Sequence, residues 1–262
     1  MSAPKDTPVA LVTGAADGIG WATARAFAGS GHRVVLADLR AEAAAARAGE
    51  LGPDHLGLGC DVSDEADVVR LLAEVAARCG RLDAAVNNAG IGSPHVPTVE
   101  QSAEAFERVL RVHLSGTFLV SREAYTLMAS TGGGAIVNLS SIAGLGGLPR
   151  RNAYGAAKAG ILAITRSMAC EWAASGVRVN AVAPGYVETA LVRKLADEGF
   201  VDEGKLRRRV PMGRLARPEE IASAILFLCS PAAGYITGAV LSVDGGWTAF
   251  ADAGDAFDAA TP

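Results

Sequence analysis

Seven short apolar or β-branched runs recur along the chain, and longer alanine-rich segments alternate with them. The runs are VALVT at 9–13, RVVLAD at 33–38, LGLGCD at 56–61, LDAAVN at 82–87, AIVNLS at 135–140, VRVNAVA at 177–183 and AVLSV at 239–243. They are nearly continuous in hydrophobicity, which is typical of strands that are covered on both faces. Strands that alternate with helical segments favour a parallel sheet. The sequence therefore predicts an α/β fold with one doubly wound parallel sheet of about seven strands and helices on both faces.

The chain has the length and composition of one large domain. It contains 262 residues, of which 50% are hydrophobic, and neither a Pro/Gly/Ser-rich linker nor an internal repeat divides it. We expect a flexible N-terminus over 1–8, one domain over 9–247 and a C-terminal tail over 248–262. The tail is acidic and weakly patterned, so disorder and a strap across a neighbour both stay open.

Charge and cysteine usage narrow the class of protein. The net charge is -4 and the four cysteines are scattered without a CxxC pair, which argues against nucleic acid as a partner and favours reduced, buried thiols. No apolar run approaches the roughly 20 residues of a membrane helix, and the start MSAPKDTP has no signal-peptide core. We therefore expect a cytoplasmic protein with no membrane partner and no metal site.

A glycine-rich turn follows the first strand. It reads TGAADGIG at 13–20, and an amphipathic helix continues from it through Ala28. A turn of this kind points backbone N–H groups and a helix N-terminus at a pyrophosphate. The alternative is a turn that is merely tight. The candidate nucleotide-binding residues here are Gly14, Asp17, Gly18, Ile19 and Gly20.

Three further strand ends carry polar residues where a nucleotide is expected. Asp38 ends the second strand, where a carboxylate accepts both ribose hydroxyls of an adenosine and repels a 2′-phosphate, although a helix N-cap is a competing role. Asp61 and Val62 close the third strand and are expected at the adenine edge, with a solvated turn as the alternative. NNAG at 87–90 ends the fourth strand, where ligands of such sheets collect or where a turn satisfies the amides. The candidates at these strand ends are Asp38, Leu39, Asp61, Val62, Asn88, Ala89 and Gly90.

Tyr154 and Lys158 lie four residues apart in AYGAAKAG at 153–160. In a helix, residues at this spacing share one face, so the ammonium lies beside the phenol. A nearby ammonium shifts the pKa of a phenol, which suits an acid/base catalyst. Such a catalyst needs a further group that positions the substrate.

These motifs in series resemble the short-chain dehydrogenase/reductase family. The match runs from Val9 to Trp247 through TGAADGIG, Asp61-Val62, NNAG, NLSS at 138–141, YGAAK at 154–158, PGYVET at 184–189 and VDGG at 243–246. The resemblance implies a Rossmann-type NAD(P)H oxidoreductase that interconverts alcohols and carbonyls and is usually a tetramer. It also implies that the segments 102–129 and 152–174 pack against their copies in a homotetramer. The alternative is that they cover only their own sheet.

The resemblance assigns the catalytic serine, tyrosine and lysine to Ser141, Tyr154 and Lys158. Ser141 is expected to hold the substrate oxygen beside Tyr154, and Lys158 to reach the nicotinamide ribose as well. A tyrosine that acts as a base near neutral pH must lose about 3 units from its reference pKa of ~10. Lys158 and the positive oxidised nicotinamide are expected to supply much of that shift. Pro184, Gly185, Val187 and Thr189 complete the predicted cofactor site.

A lid and a set of pocket residues are expected on the substrate side of the site. By resemblance, residues 190–215 form a mobile lid. The pocket candidates are mainly apolar and favour a neutral or cyclic alcohol: Ile91, His95, Leu145, Leu148, Tyr186 and Leu191. Leu148 and Tyr186 join Ser141 and Tyr154 as expected substrate contacts. The arginines at 207–209 form a solvated helix face or clamp a substrate anion.

His113 departs from the family pattern, in which most members carry asparagine. Three hypotheses stay open for it: a hydrogen-bonding substitute in the catalytic water path, a proton relay, or a residue that fills a buried gap. The first is our expectation.

The sequence as a whole predicts an NAD-dependent dehydrogenase that acts on a secondary alcohol and the matching ketone. NAD is expected over NADP because Asp38 is present and neither Ala16 nor Asp17 is basic, although Arg40 is close enough to soften this preference. The alternatives are a reductase of 3-oxoacyl thioesters on carrier protein or CoA, which prefers NADPH, and a non-catalytic nucleotide sensor, which usually loses the tyrosine or the lysine.

Overall fold

All seven apolar runs form strands of one parallel sheet. The computed structural model describes residues 7–93, 95–190, 192–193, 199, 202–252 and 254–256. The strands are β1 (Val9–Thr13), β2 (Arg33–Asp38), β3 (Leu56–Gly59), β4 (Ala84–Asn87), β5 (Gly134–Leu139), β6 (Val177–Pro184) and β7 (Val240–Val243). Their order in the sheet is β3-β2-β1-β4-β5-β6-β7, and every neighbouring pair is parallel. The predicted fold class is confirmed, although β3 ends two residues before Asp61.

Helices connect the strands and cover both faces of the sheet. Those used below are α1 (Gly18–Gly29), α2 (Ala41–Leu51), α3 (Glu65–Cys79), α4 (Ala103–Leu110), α5 (Gly116–Ser130), α6 (Asn152–Trp172), α7 (Glu203–Arg209) and α8 (Pro218–Cys229). A π-helical turn, Arg111–Ser115, joins α4 to α5. Because α4, this turn and α5 follow without a break, the predicted segment 102–129 is one long helical run with an irregular centre.

Neighbouring residues of the central strands pack in two separate cores. Leu11 packs in the cluster with Val68 of α3 and Ala124 of α5, whereas the next residue, Val12, packs with Phe27 of α1. Alternate side chains of a strand point to opposite faces, so both faces of this sheet are apolar and both are covered by helices. This double coverage is the physical reason for the nearly continuous hydrophobicity of the strand runs.

The described part of the tail packs on its own chain. The Arg209 guanidinium of α7 lies 5.0 Å from the ring centre of Trp247 and 4.8 Å from that of Phe250. Arg208 pairs with Asp255 at 3.1 Å, and the Arg208 carbonyl accepts the Ala256 N–H at 2.7 Å. This part of the tail therefore contacts α7 of its own chain, and a strap across a neighbour stays a prediction. Residues 1–6 and 257–262 lie outside the described residues, and so do 191, 194–198, 200 and 201 of the expected lid.

None of the helices within the described ranges combines the length and the hydropathy that a membrane crossing requires.

Candidate active site

A cavity of about 990 Å³ opens at the carboxyl ends of the strands. The strand order reverses between β1 and β4, and ligands of open parallel sheets bind at such a switch point. Every predicted cofactor residue except Gly20 lines this cavity: Gly14, Asp17, Gly18, Ile19, Asp38, Leu39, Asp61, Val62, Asn88, Ala89, Gly90, Tyr154, Lys158, Pro184, Gly185, Val187 and Thr189. His113, Ser141, Leu148 and Tyr186 line it too.

The glycine turn has a backbone conformation and close contacts that residues with a Cβ could not adopt without strain. Gly14 and Gly18 have φ of +62° and +55°, a backbone region that favours glycine. A Cβ on Gly20 would lie 2.1 Å from the Gly14 carbonyl oxygen, so Gly20 allows α1 to approach the turn rather than line the cavity. The first backbone N–H groups of a helix have no intrahelical acceptor and can bind an anion. The turn therefore fits the pyrophosphate of a dinucleotide.

Asp38 is held in a fixed orientation at the edge of the cavity. Its Oδ2 accepts the Ala16 N–H at 3.1 Å and its Oδ1 accepts the Arg40 N–H at 3.0 Å. It does not cap α2, because Arg40 is the residue that precedes that helix. Asp38 is 8% exposed and lines the cavity, where its carboxylate can face a ribose. The Arg40 Nε lies 3.4 Å from Asp38 Oδ1, so Arg40 pairs with this carboxylate although 63% of its side-chain area is exposed.

Two other predicted polar residues have structural partners. Asp61 Oδ1 accepts the Ser63 N–H at 2.9 Å and the Ser63 hydroxyl at 2.7 Å, so Asp61 stabilises a turn, and its role at the adenine stays a prediction. The Asn88 amide donates to the carbonyls of Thr13 at 2.9 Å and Gly14 at 3.0 Å. Asn88 thus ties the end of β4 to the glycine turn.

Ser141, Tyr154 and Lys158 meet on one wall of the cavity. Ser141 follows β5 and accepts the Ala143 N–H at 3.2 Å, and its hydroxyl lies close enough to Tyr154 to favour the phenolate. Tyr154 and Lys158 occupy successive turns of α6. The Lys158 Nζ donates to the Leu139 carbonyl at 2.6 Å and lies 5.5 Å from the centre of the Tyr154 ring. The helical juxtaposition expected from the spacing is present.

Burial acts against the lowered pKa that Tyr154 is expected to have beside Lys158 and the oxidised nicotinamide. Burial raises the pKa of Tyr154, and the Ser141 hydroxyl and the charge of Arg151 oppose that rise only in part. Burial also lowers the pKa of Lys158 from 10.5 to about 7. The protein alone therefore does not give Tyr154 the lowered pKa that a base near neutral pH requires. A further positive charge beside the phenol is needed.

His113 lies buried in the π-helical turn and is 3% exposed. Its Nε2 is 3.1 Å from the Ile91 N and 2.9 Å from the Ile91 carbonyl oxygen, and its ring meets the Tyr154 ring edge-on at 5.3 Å. A Cβ on Gly90 would lie 2.4 Å from His113 Cε1, so the imidazole fills the space above this glycine. Burial and the charge of Lys158 lower the pKa of His113 to about 3. A histidine with that pKa is neutral at physiological pH, which argues against a proton relay.

The predicted substrate residues divide into two groups. Ile91, His95, Leu148 and Tyr186 line the cavity. Leu145 is exposed and does not line it, and Leu191 lies outside the described residues. Arg207, Arg208 and Arg209 do not line it either, because they contact Glu203, Asp255 and the tail aromatic rings.

The sequence reasoning missed Arg151, which lines the cavity between Leu148 and Tyr154. Its spacing was a usable signal: it precedes Tyr154 by three residues, and residues three apart at the start of a helix lie on one side. It places a cation beside Tyr154, in a lining that also contains Arg40, Arg108, Arg111 and Lys158.

The chain is similar to dehydrogenases along nearly its whole length. A family model described as enoyl-(acyl carrier protein) reductase matches residues 14–248. An uncharacterised short-chain type dehydrogenase/reductase of Sinorhizobium fredii is 49% identical over 251 residues, which are 96% of this chain and 45% of that protein. The chain thus spans less than half of that relative.

Two further relatives match it from end to end. Cis-4-hydroxycyclohexanecarboxylate dehydrogenase of Sinomonas cyclohexanicum is 47% identical and covers 92% of this chain and 96% of its own. D-threitol dehydrogenase of Mycolicibacterium smegmatis is 45% identical, with coverage of 93% and 94%.

Proposed function

The chain belongs to the short-chain dehydrogenase/reductase family, and we propose that it is an NAD-dependent dehydrogenase that interconverts a secondary alcohol and its ketone. The observation that carries this proposal is the meeting of Ser141, Tyr154 and Lys158 on the wall of a cavity that also holds the glycine turn. The relatives named for a hydroxycyclohexanecarboxylate and for threitol support an alcohol as the substrate.

Membership of the family implies a nicotinamide cofactor, NAD or NADP. The residues that would hold it are Gly14, Asp17, Gly18, Ile19 and Gly20 at the pyrophosphate, Asp38 and Leu39 at the ribose, Asp61 and Val62 at the adenine, and Asn88, Ala89, Gly90, Pro184, Gly185, Val187 and Thr189 towards the nicotinamide. When bound, this group accepts or donates the hydride. Tyr154 and Lys158 would also contact its ribose.

Tyr154 is the proposed acid and base of the reaction. In oxidation its phenolate takes the proton of the substrate hydroxyl, and in reduction the phenol returns a proton to the carbonyl oxygen. Because burial raises the pKa of Tyr154, the phenol stays protonated near neutral pH unless a further positive charge lies beside it. The Ser141 hydroxyl holds the substrate oxygen beside the phenol, and the Lys158 ammonium stabilises the phenolate.

A panel of secondary alcohols tests this proposal. We expect NADH absorbance to rise in the presence of NAD and a suitable alcohol, and to rise faster at high pH because oxidation releases a proton. Reduction of 3-oxoacyl thioesters with NADPH, but of no simple ketone, would favour the alternative instead. The carboxylates of Asp17 and Asp38 at the cofactor site argue against that alternative, since they repel a 2′-phosphate.

Asp38→Ala is expected to narrow the preference for NAD over NADP by about tenfold or more in kcat/KM. The carboxylate that accepts the ribose hydroxyls and repels a 2′-phosphate is then lost. Steady-state kinetics with both cofactors measure the ratio. Glu42→Ala, which removes a nearby exposed carboxylate outside the cavity, should leave the ratio unchanged. A wild-type preference for NADP would contradict the assignment.

His113→Asn is expected to keep kcat within about tenfold of the wild type and to leave its pH profile unshifted. A neutral imidazole and an amide each offer a donor and an acceptor, so the hydrogen-bonding role survives the exchange. The profile of kcat against pH measures this directly. A folded variant that loses more than about a hundredfold in kcat, near 2.7 kcal/mol of barrier, would contradict the substitute role.

The homotetramer and the cytoplasmic location stay predictions. Phe118 of α5 is an exposed aromatic side chain on one of the helices expected to pack against a second copy.

A further inference from the structure

Arg151 places a cation inside the wall that holds the proposed catalytic groups. It lines the cavity with Ser141, Tyr154 and Tyr186, and it is only partly exposed. Its guanidinium carbon lies 5.8 Å from the centre of the Tyr154 ring. Its charge also opposes the rise that burial causes in the pKa of both Tyr154 and Tyr186, so the cation is close to both phenols.

No carboxylate neutralises this cation among the residues that the structure describes. Arg122 pairs with Glu65 and Glu123, and Arg214 pairs with Glu220, but Arg151 has neither an ion pair nor a side-chain hydrogen bond within those ranges. Arginine carries five donors in a planar fork that matches a carboxylate. The donors of Arg151 are therefore available to a ligand of the cavity.

Helix stability does not explain an arginine at this position. Arg151 is the residue that precedes α6 and its side chain makes no capping hydrogen bond. A positive charge next to the positive end of a helix dipole is unfavourable. An anion bound between this helix end and the guanidinium would remove that cost.

The backbone before α6 is strained where it turns towards the site. Arg150 has φ of +65°, and no other non-glycine residue in the described ranges has a positive φ. The Arg151 N–H completes the turn by donating to the Leu148 carbonyl at 3.3 Å. The result is that Arg150 is exposed while Arg151 lines the cavity. Strained residues of this kind cluster where they position functional groups.

We propose that Arg151 binds a carboxylate of the substrate, so that the substrate class is a hydroxy acid, a secondary alcohol that carries a carboxylate. This inference rests on the proposed function and replaces the neutral alcohol expected from the apolar pocket residues. Tyr154 and Ser141 take the hydroxyl end of the molecule and Arg151 takes the acid end. Arg151 is thus a specificity-determining residue.

Kinetics on matched substrates test this assignment. The probes are 3-hydroxybutanoate, 4-hydroxypentanoate and 3- and 4-hydroxycyclohexanecarboxylate, each paired with its methyl ester. We expect the wild type to prefer the best acid over its ester by at least about tenfold in kcat/KM, the range of one charge-assisted hydrogen bond. Arg151→Gln should remove that preference mainly through KM. Because the Arg151 charge also opposes the rise in the pKa of Tyr154, acid and ester should share any loss in kcat, and the ratio of their kcat/KM values is the readout. Arg150→Gln is the matched control, because it removes the neighbouring exposed cation, and should behave as the wild type.

A binding measurement separates this inference from the proposed function. Cyclohexanecarboxylate, which cannot be oxidised, and cyclohexanecarboxamide are titrated calorimetrically into the wild type and Arg151→Gln. We expect the wild type to bind the carboxylate at least tenfold more tightly than the amide. Arg151→Gln should show no such preference. If the wild type shows this preference for the carboxylate while no alcohol is oxidised, the carboxylate site at Arg151 is supported and the dehydrogenase proposal fails. Equal binding of acid and amide, or an equal loss of kcat/KM on acid and ester in Arg151→Gln, would overturn the role of Arg151.

Discussion

Tyr154→Phe is expected to lower kcat by about a thousandfold, which corresponds to roughly 4 kcal/mol of barrier. The substitution keeps the ring, and with it the edge-on contact to His113, and removes only the hydroxyl that exchanges a proton with the substrate. The loss should therefore appear in kcat with little change in KM. Steady-state rates with the best alcohol of the panel measure it.

Tyr235→Phe is the control, because Tyr235 is fully exposed and does not line the cavity. It should retain the wild-type rate. Thermal unfolding of both variants shows whether the fold is intact. A loss of less than tenfold in a folded Tyr154→Phe protein would refute the proposed role of the phenol.

Lys158→Met is expected to abolish most activity while making the protein more stable. Lys158 is 5% exposed and its ammonium contacts a carbonyl but no carboxylate in the described structure. Its pKa is lowered from 10.5 to about 7, which corresponds to roughly 4 to 5 kcal/mol of destabilisation while the lysine is charged in both states. Methionine is similar in length, carries no charge and leaves one carbonyl without its donor, which offsets about 1–3 kcal/mol of the gain.

The pH dependence of this stabilisation has a definite sign. Below pH 7 both the folded and the unfolded protein carry the charge, so the wild type bears the full cost and the variant gains most. Between pH 7 and 10.5 the unfolded state binds more protons, so wild-type stability rises with pH and the difference shrinks. We expect Lys158→Met to raise Tm by at least about 3 °C at pH 6, and by less at pH 9.

Differential scanning fluorimetry across this pH range, together with kcat/KM, measures both effects. Lys205→Met removes an exposed charge and should change neither quantity appreciably. A variant with a lower Tm at pH 6 would show that the ammonium stabilises the fold. Activity within tenfold of the wild type would show that Tyr154 does not need it.

Much of the site followed from local patterns of the chain. Gly14 and Gly18 were recognisable because their turn sits between a strand and a helix, and Asp38 because it ends the next strand. Tyr154 and Lys158 were recognisable because helical spacing puts them on one face. His113 was recognisable because a histidine stands where most family members carry asparagine. Its role could not be decided from the sequence, because it depends on contacts with Ile91 and Gly90, more than 20 residues away.

Other parts of the site could not be predicted from position along the chain. Leu145 was expected in the pocket and lies outside it, since the direction of a loop side chain is set by packing. The spacing to Tyr154 could have placed Arg151 on the same side of the helix, but nothing in the sequence indicates that it lacks an acidic neighbour within the described residues. The rise that burial causes in the pKa of the phenol was not foreseen either, because burial is set by distant segments.

The sequence by itself determined the fold class, the order of the strands along the chain and the residue types at their carboxyl ends. These follow from hydrophobic periodicity and from turn and helix spacing, which act over a few residues. Only the tertiary structure decided the electrostatics: a neutral His113, a lysine whose pKa is lowered to about 7, and a cation at Arg151 facing the cavity. Desolvation and Coulomb interactions depend on which distant segments surround a group, and that is known only once the chain has folded.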